Sequence, residues 1–380
     1  MKKILVALAA VAVLASCGEK KHCDGCCGVE LIKAENFQQE VDGKQVDLYT
    51  LCNGDLTMQV TNFGGRVVSL WAPDRDGKKA DIVLGYETLD RYVNNTGERF
   101  LGAPVGRVAN RIGYGKFTLE GKEYNTPLNN NGHTLHGGLK GIDMLVWDVM
   151  EVKPESITLH LVVPDGLDGF PGNLDITMKY ALTADNEFVV TYSANTDAPT
   201  VCNLSHHSFF NLKGEAGGTI LDHVLWMKAD RITPTDAALI PTGEVLPVEG
   251  TPFDFRKPHT IGERIEADHE QLKNGKGYDL NWVLEREDDG QVLNICTLYE
   301  PTSGRAMDVA TDQVAIQFYS GNFFDGTYNG KYGKPLKFRE SVALETQKHP
   351  DAINHDGFPS TVLNPGEQYN HVCIYKFYTK

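Results

Sequence analysis

Residues 156–196 read SITLHLVVPDGLDGFPGNLDITMKYALTADNEFVVTYSANT. Ile157, Leu159, Leu161 and Val163 alternate with Thr158, His160 and Val162. Leu174, Ile176, Met178 and Tyr180 alternate with Asp175, Thr177 and Lys179. Phe188, Val190 and Tyr192 alternate with Glu187, Val189 and Thr191. A period of two is the period of a strand, which sends one set of side chains to a core and the other to solvent or a second layer. Clusters of Gly, Pro, Asn and Asp break the runs, as turns require. The same grammar extends outward, with turn words such as Asp74-Arg75-Asp76-Gly77, Asn129-Asn130-Asn131-Gly132 and Asn364-Pro365-Gly366. Helical periodicity is scarce, and the stretch from Ile261 to Leu272 is its best short candidate. No repeat of 20–50 residues and no Pro/Ser-rich linker interrupts 31–380. The sequence therefore predicts one large all-β domain of antiparallel strands.

Composition fits that picture. The chain has 380 residues, is 41% hydrophobic and carries a net charge of −15. Disorder, collagen and a disulfide-framework miniprotein are excluded. Nucleic acid is a poor partner, because binding phosphates needs clustered Lys and Arg. A neutral small substrate suits the charge better than a polyanion.

The first 16 residues read as a leader. Lys2 and Lys3 precede an apolar run from Ile4 to Ala15, too short to span a bilayer. Leu14-Ala15-Ser16-Cys17 then resembles a bacterial lipobox, in which Cys17 becomes the lipidated first residue. The alternative is an ordinary secretory signal with a cysteine nearby. No later run of 18 apolar residues follows, so the expectation is an exported lipoprotein held by its lipid anchor alone, in the periplasm or at the cell surface. Residues 17–30 read as a tether. Its Cys23, Cys26 and Cys27 beside His22 allow a disulfide, idle thiols or, less simply, a metal site. Cys52, Cys202, Cys296 and Cys373 read as small core side chains.

Gly-x-Ser-x-Gly, the phosphate loop and His-Glu-x-x-His are all absent. What stands out instead is a series of polar words between strands: Gly106-Arg107-Val108-Ala109-Asn110-Arg111-Ile112; Leu135-His136-Gly137-Gly138; Asn203-Leu204-Ser205-His206-His207-Ser208-Phe209-Phe210-Asn211-Leu212; Gly277-Tyr278-Asp279; Ile316-Gln317-Phe318-Tyr319-Ser320-Gly321-Asn322; and Leu344-Glu345-Thr346-Gln347. Supporting words are residues 165–172, Pro301-Thr302-Ser303-Gly304-Arg305, and the ending from Pro350 through Gly366-Glu367. In this order, from about residue 33 to the C-terminus, they resemble the aldose 1-epimerase (galactose mutarotase) family. Each word alone is weak; six in sequence are specific. The resemblance implies a large antiparallel β-sandwich, the galactose mutarotase-like supersandwich, with a sugar in a groove on one concave face. It also implies a monomer.

Exchanging α and β anomers requires opening the hemiacetal ring. One group takes the proton of the C1 hydroxyl and another gives a proton to the ring oxygen. After rotation about C1–C2 the roles reverse. A histidine (reference pKa about 6.5) and a carboxylate (about 4.3) serve once modestly shifted. No cofactor and no metal are required; a bound Ca²⁺ is compatible with the chain but has no readable motif. By motif, the resemblance implies Glu345 as general base and His207 as general acid. It implies His136, Asn110, Arg111, Asp279 and Gln317 as sugar-binding residues. Trp71, Trp147, Trp226 and Trp282 are better read as core.

The wording departs from the family at two places: His206 stands where Asn is usual, and Leu280 where His often follows the Asp of Gly-Tyr-Asp. Strand alternation predicts that His206 and His207 point opposite ways. The departures bear on sugar preference, not reaction class. Three alternatives remain: a sugar-binding lipoprotein without turnover; an enzyme for a phosphorylated sugar, which would call for extra Arg or Lys; and a metal-dependent hydrolase built on His133, His136, His206, His207 and His223, whose spacings form no known ligand set.

Overall fold

The computed structural model describes residues 28–380; the leader and the tether up to Cys27, with Cys17, Cys23 and Cys26, lie outside the described residues. The stretch 156–196 forms three adjacent antiparallel strands, Ser156–Val163, Leu174–Leu182 and Glu187–Thr196. Their register sets Leu159 opposite Met178 and Met178 opposite Tyr192, so core residues line up across the sheet. Leu174, Ile176, Met178, Tyr180 and Leu182 are buried while Thr177 and Lys179 are exposed. Each such fully buried apolar side chain contributes about 1.5–3 kcal/mol.

These strands belong to a nine-stranded antiparallel sheet. It runs Asp148–Lys153, Ser156–Val163, Leu174–Leu182, Glu187–Thr196, Tyr369–Thr379, Arg305–Thr311, Leu293–Tyr299, Val224–Met227 and His259–Thr260. Against it packs a six-stranded sheet whose central strands are Val342–Gln347, Ala315–Tyr319 and Asp279–Leu284. A four-stranded sheet, Leu48–Asn53, Leu56–Thr61, Arg66–Pro73 and Lys79–Asp81, extends the same layer of packing. One continuous core joins all three: Ile176, Met178 and Val190; Trp282, Phe318 and Leu344; Met58 and Leu70. This is the antiparallel sandwich expected.

The six-stranded sheet positions the site because both its faces are covered. Every residue of Asp279–Leu284, Ala315–Tyr319 and Val342–Gln347 is buried. Leu280, Trp282, Ile316, Phe318, Val342 and Leu344 face the main core. By alternation the opposite face carries Asp279, Asn281, Gln317, Tyr319, Glu345 and Gln347. Tyr319 and Ala343 there join a second apolar cluster with Phe100, Leu101, Ala103 and Phe209. A polar row is thus held under a roof of loops.

Helix is minor. The stretch 261–272 is not one helix. It gives a 3-10 turn, Ile261–Glu263, and a short α-helix, Glu270–Gly275, capped by the His269 side chain accepting from Gln271 N. A second short helix, Leu89–Val93, has no periodic apolar face to announce it. Among the described residues no helix is long and apolar enough to cross a membrane. Cys52, Cys202, Cys296 and Cys373 are buried thiols.

Candidate active site

The pairing that matters follows from register. Phe209–Phe210 ladders with Val342–Gln347, Phe209 opposite Ala343. Two residues further along an antiparallel pair, on the same face, come His207 and Glu345. The structure places His207 Nε2 3.4 Å from Glu345 Oε1, both side chains almost fully buried. Ala315–Tyr319 is the next strand, with Gln317 opposite Glu345, and Asp279–Leu284 follows, with Asn281 opposite Gln317. Gln317 Nε2 donates to Asp279 Oδ1 across the diagonal (2.7 Å).

The facing wall comes from the Asn110-Arg111 and His136 words. Asn110 and His136 both adopt the left-handed region, at φ 60° and 49°, uncommon for residues with a Cβ. They lock each other: His136 N donates to Asn110 O (2.9 Å), and Asn110 N donates to His136 Nδ1 (3.0 Å). Gly137 explains the Leu-His-Gly-Gly word, since a Cβ there would lie 1.8 Å from Gly106 O. Below, Asp143 is fully buried between two guanidinium groups, Arg66 at 3.1 Å and Arg99 at 2.8 Å; Arg99 Nη1 also donates to Gly138 O. This ion network ties the 97–101 loop to the His136 loop.

Together these residues line a cavity of about 250 Å³, which includes His136, His207, Glu345, Asp279, Asn110 and Arg111. Ligand pockets for drug-sized molecules run to about 300–1,000 Å³, so this one suits a single small ring. Six of the seven residues implied by motif lie on its wall. The seventh, Gln317, lines an adjoining recess of about 10 Å³, room for one water, with Asp279, Asn281 and Arg111. Glu98, Phe100, Leu239 and Phe323 also line the cavity and had no sequence signal. Asn130 and Asn131, read as a turn, lie at its wall as well. None of the four tryptophans does.

His206 and Leu280 point away from the cavity. His206 is buried among Tyr180, Phe188 and Tyr375, with Nε2 2.7 Å from Ser208 Oγ. Leu280 packs in the main core. The two departures in wording therefore alter the layer behind the site and not the main cavity wall.

Burial governs the electrostatics. It raises the Glu345 carboxyl well above its usual range, Asp279 and Glu98 adding to this and Arg111 opposing it. It lowers His207 to about 3 and holds His136 well below its ordinary value. Burial also raises Asp279 against the pull of Arg111. Several buried polar atoms lack a protein partner: His207 Nδ1, Glu345 Oε2, Gln317 Oε1 and both amide atoms of Gln347. Such groups are costly unless something polar meets them.

The donor set has the makings of a metal centre. Ligand atoms of His136, His207 and Glu345 lie within 4.8 Å of one another, an acid–histidine cluster that the spacings along the chain did not suggest. His133, His206 and His223 take no part. Hydrogen bonding argues for a different use: His136 Nδ1 accepts from Asn110 N, so the neutral ring carries its proton on Nε2 and presents a donor. Chelation with EDTA is expected to leave turnover unchanged; loss restored by added metal would make the cluster a metal centre.

Residues 47–376 match the family model of aldose 1-epimerase. The chain belongs to the aldose 1-epimerase family. It is 39% identical over 335 residues to the galactose mutarotase of Rattus norvegicus, covering 88% of this chain and 95% of the relative. It is 34% identical over 339 residues to the aldose 1-epimerase of Escherichia coli (strain K12), covering 88% and 96%. An aldose epimerase homologue from C. elegans superposes with a TM-score of 0.80 at 31% identity, covering 88% of this chain and 99% of that one. A galactose 1-epimerase from Lactobacillus acidophilus NCFM gives 0.78 at 28% identity, covering 90% and 97%. Among the described residues, motif words, buried charge and unpaired polar atoms converge at this cavity.

Proposed function

We propose that the enzyme interconverts the α and β anomers of free aldoses, D-glucose and D-galactose among them, with Glu345 as general base and His207 as general acid. The observation that carries this is the 3.4 Å approach of His207 Nε2 to Glu345 Oε1 in a cavity of about 250 Å³, the size of a sugar ring. Asp279 accepts hydrogen bonds from ring hydroxyls, Asn110 and Arg111 hold others, and the His136 Nε2–H donates to a sugar oxygen near the reacting centre. Gln317 orients Asp279.

The proton count closes. The pair holds one proton, which rests on Glu345, and reacts from the tautomer that has Glu345 as carboxylate and His207 as imidazolium. Glu345 takes the C1 hydroxyl proton while His207 protonates the ring oxygen, leaving the open-chain aldehyde, a neutral carboxylic acid and a neutral imidazole. Rotation about C1–C2 presents the other carbonyl face, and both protons return. One shared proton serves throughout, and the burial that raises Glu345 and lowers His207 favours the neutral arrangement accompanying the aldehyde.

The pH dependence follows with definite sign. Activity is lost on the acid side when a second proton loads His207, lowered to about 3, so the rate should not break near pH 6.5. On the alkaline side it is lost when Glu345 gives up the shared proton, above the usual carboxylate range. A rate that halves near pH 6.5 as the pH is lowered, in a pH–kcat profile, would contradict this assignment.

Polarimetry on freshly dissolved α-D-glucose and α-D-galactose tests the function. Relaxation of optical rotation accelerated at catalytic protein concentration supports it; an unaccelerated relaxation with folded protein contradicts it. We also propose export and lipid anchoring through Cys17, motivated by Leu14-Ala15-Ser16-Cys17. Cys17→Ser should yield an active protein in the soluble fraction, and its retention in membranes would refute the anchor.

A further inference from the structure

The ladder between Phe209–Phe210 and Val342–Gln347 stops at Phe209 opposite Ala343. Ser205–His207 pairs with Ala103–Val105 on its other side. Toward the Glu345 strand its links are made by side chains. Ser205 Oγ donates to Thr346 O (2.9 Å). Asn203 closes the far end, accepting from Lys348 N (2.9 Å) and donating to Lys348 O (3.3 Å).

A third element joins them from behind. His371, on the strand Tyr369–Thr379, is fully buried, with Nδ1 3.1 Å from Leu204 O and Nε2 2.8 Å from Thr346 Oγ1. A carbonyl only accepts, so Nδ1 carries the proton; Nε2 then accepts, and the Thr346 hydroxyl donates. Each bridged residue lies within three positions of one of the reacting pair in sequence. Thr346 follows Glu345, and Leu204 and Ser205 precede His207. None of them lines the cavity.

We propose that His371, Thr346 and Ser205 form a buried side-chain bridge that sets the separation of His207 and Glu345 where a backbone ladder is missing, and so act as positioning residues for proton transfer. A continued ladder would fix the strands about 4.8 Å apart. The bridge replaces that repeat with a spacing set by three side chains, each hydrogen-bonded and buried. The proposal rests on His207 and Glu345 being the proton-transfer pair.

Thr346→Val keeps the side-chain volume and removes the hydroxyl; Thr346→Ser keeps the hydroxyl. Polarimetric kcat and KM for D-galactose, with urea unfolding midpoints, separate positioning from folding. Displacement of a reacting group by about 1 Å can cost roughly 10²-fold. The expected result is a kcat lowered about 10- to 100-fold in Thr346→Val, KM within about two-fold, and near-complete recovery in Thr346→Ser. Should Thr346→Val fail to fold, Ser205→Ala carries the same comparison. A folded Thr346→Val with unchanged kcat, or a Thr346→Ser variant as slow as Thr346→Val, overturns the bridge. A wild-type enzyme that turns over no aldose overturns the underlying reading instead.

Discussion

Glu345→Gln lowers the catalysed rate of mutarotation by about 10²–10⁴-fold, the usual worth of a positioned proton-transfer group, while galactose binding stays within a few-fold. The substitution preserves shape and leaves Asn110, Arg111, Asp279 and His136 on the cavity wall. The amide cannot take the C1 hydroxyl proton, and the reaction needs that step in both directions. Loss should therefore fall on kcat, the signature of an interaction made only in the transition state. Folding stability should not suffer, because the carboxyl is buried and already pushed toward its neutral form. His207→Gln should cost a similar factor, and the double variant little more than either single one, since the two groups act as a unit. A Glu345→Gln rate within ten-fold of wild type would remove Glu345 as the base.

Lys331→Met produces the largest expected loss of stability. The Lys331 ammonium is completely buried, 2.8 Å from Asp81 and 3.1 Å from Glu215, and it donates to Val68 O and Val83 O. It ties the loop between the Ala315–Tyr319 and Val342–Gln347 strands of the six-stranded sheet to the Lys79–Asp81 edge of the four-stranded one. Burial holds Glu215 up at about 7 even with the lysine beside it. Without the cation two buried carboxylates face each other. Removing one partner from a buried ion cluster costs about 3–5 kcal/mol, which for a chain of this size lowers Tm by about 4–7 °C. The deficit should grow with pH. Carboxyls raised in the fold bind protons that the unfolded chain has released, so stability is lost as pH rises through their folded values. Calorimetry at pH 5.5 and 8 checks both points. A loss below about 1 kcal/mol at pH 8 would show that water or rearrangement replaces the lysine.

Much of this was legible in the chain. The alternation in 156–196 specifies three strands and their buried faces, because a one-residue slip would turn Ile176, Met178 and Tyr180 out to solvent. Alternation also separated His206, which sits in the core, from His207, which reaches the cavity. The motif words located both walls. Glu98, Phe100 and Phe323 were silent because they reach the cavity through loop packing, which leaves no period in the sequence. Asn130 and Asn131 look like a turn because their residue types are turn formers wherever they occur. The helix foreseen across 261–272 gave way because its apolar residues are too few to bury a continuous face, and packing of Ile261, Ile265 and Leu272 into the main core overrides the local pattern. The His371–Thr346 contact joins residues on two different sheets, 25 positions apart, and only the fold brings them together.

The roles of Glu345 and His207 are tested by a crystal structure of Glu345→Gln with bound D-galactose, in which the sugar is held but not turned over. The C1 hydroxyl should lie within hydrogen-bond distance of the residue 345 side chain, with the ring oxygen facing His207. A galactose whose reacting centre lies away from both side chains would contradict both roles.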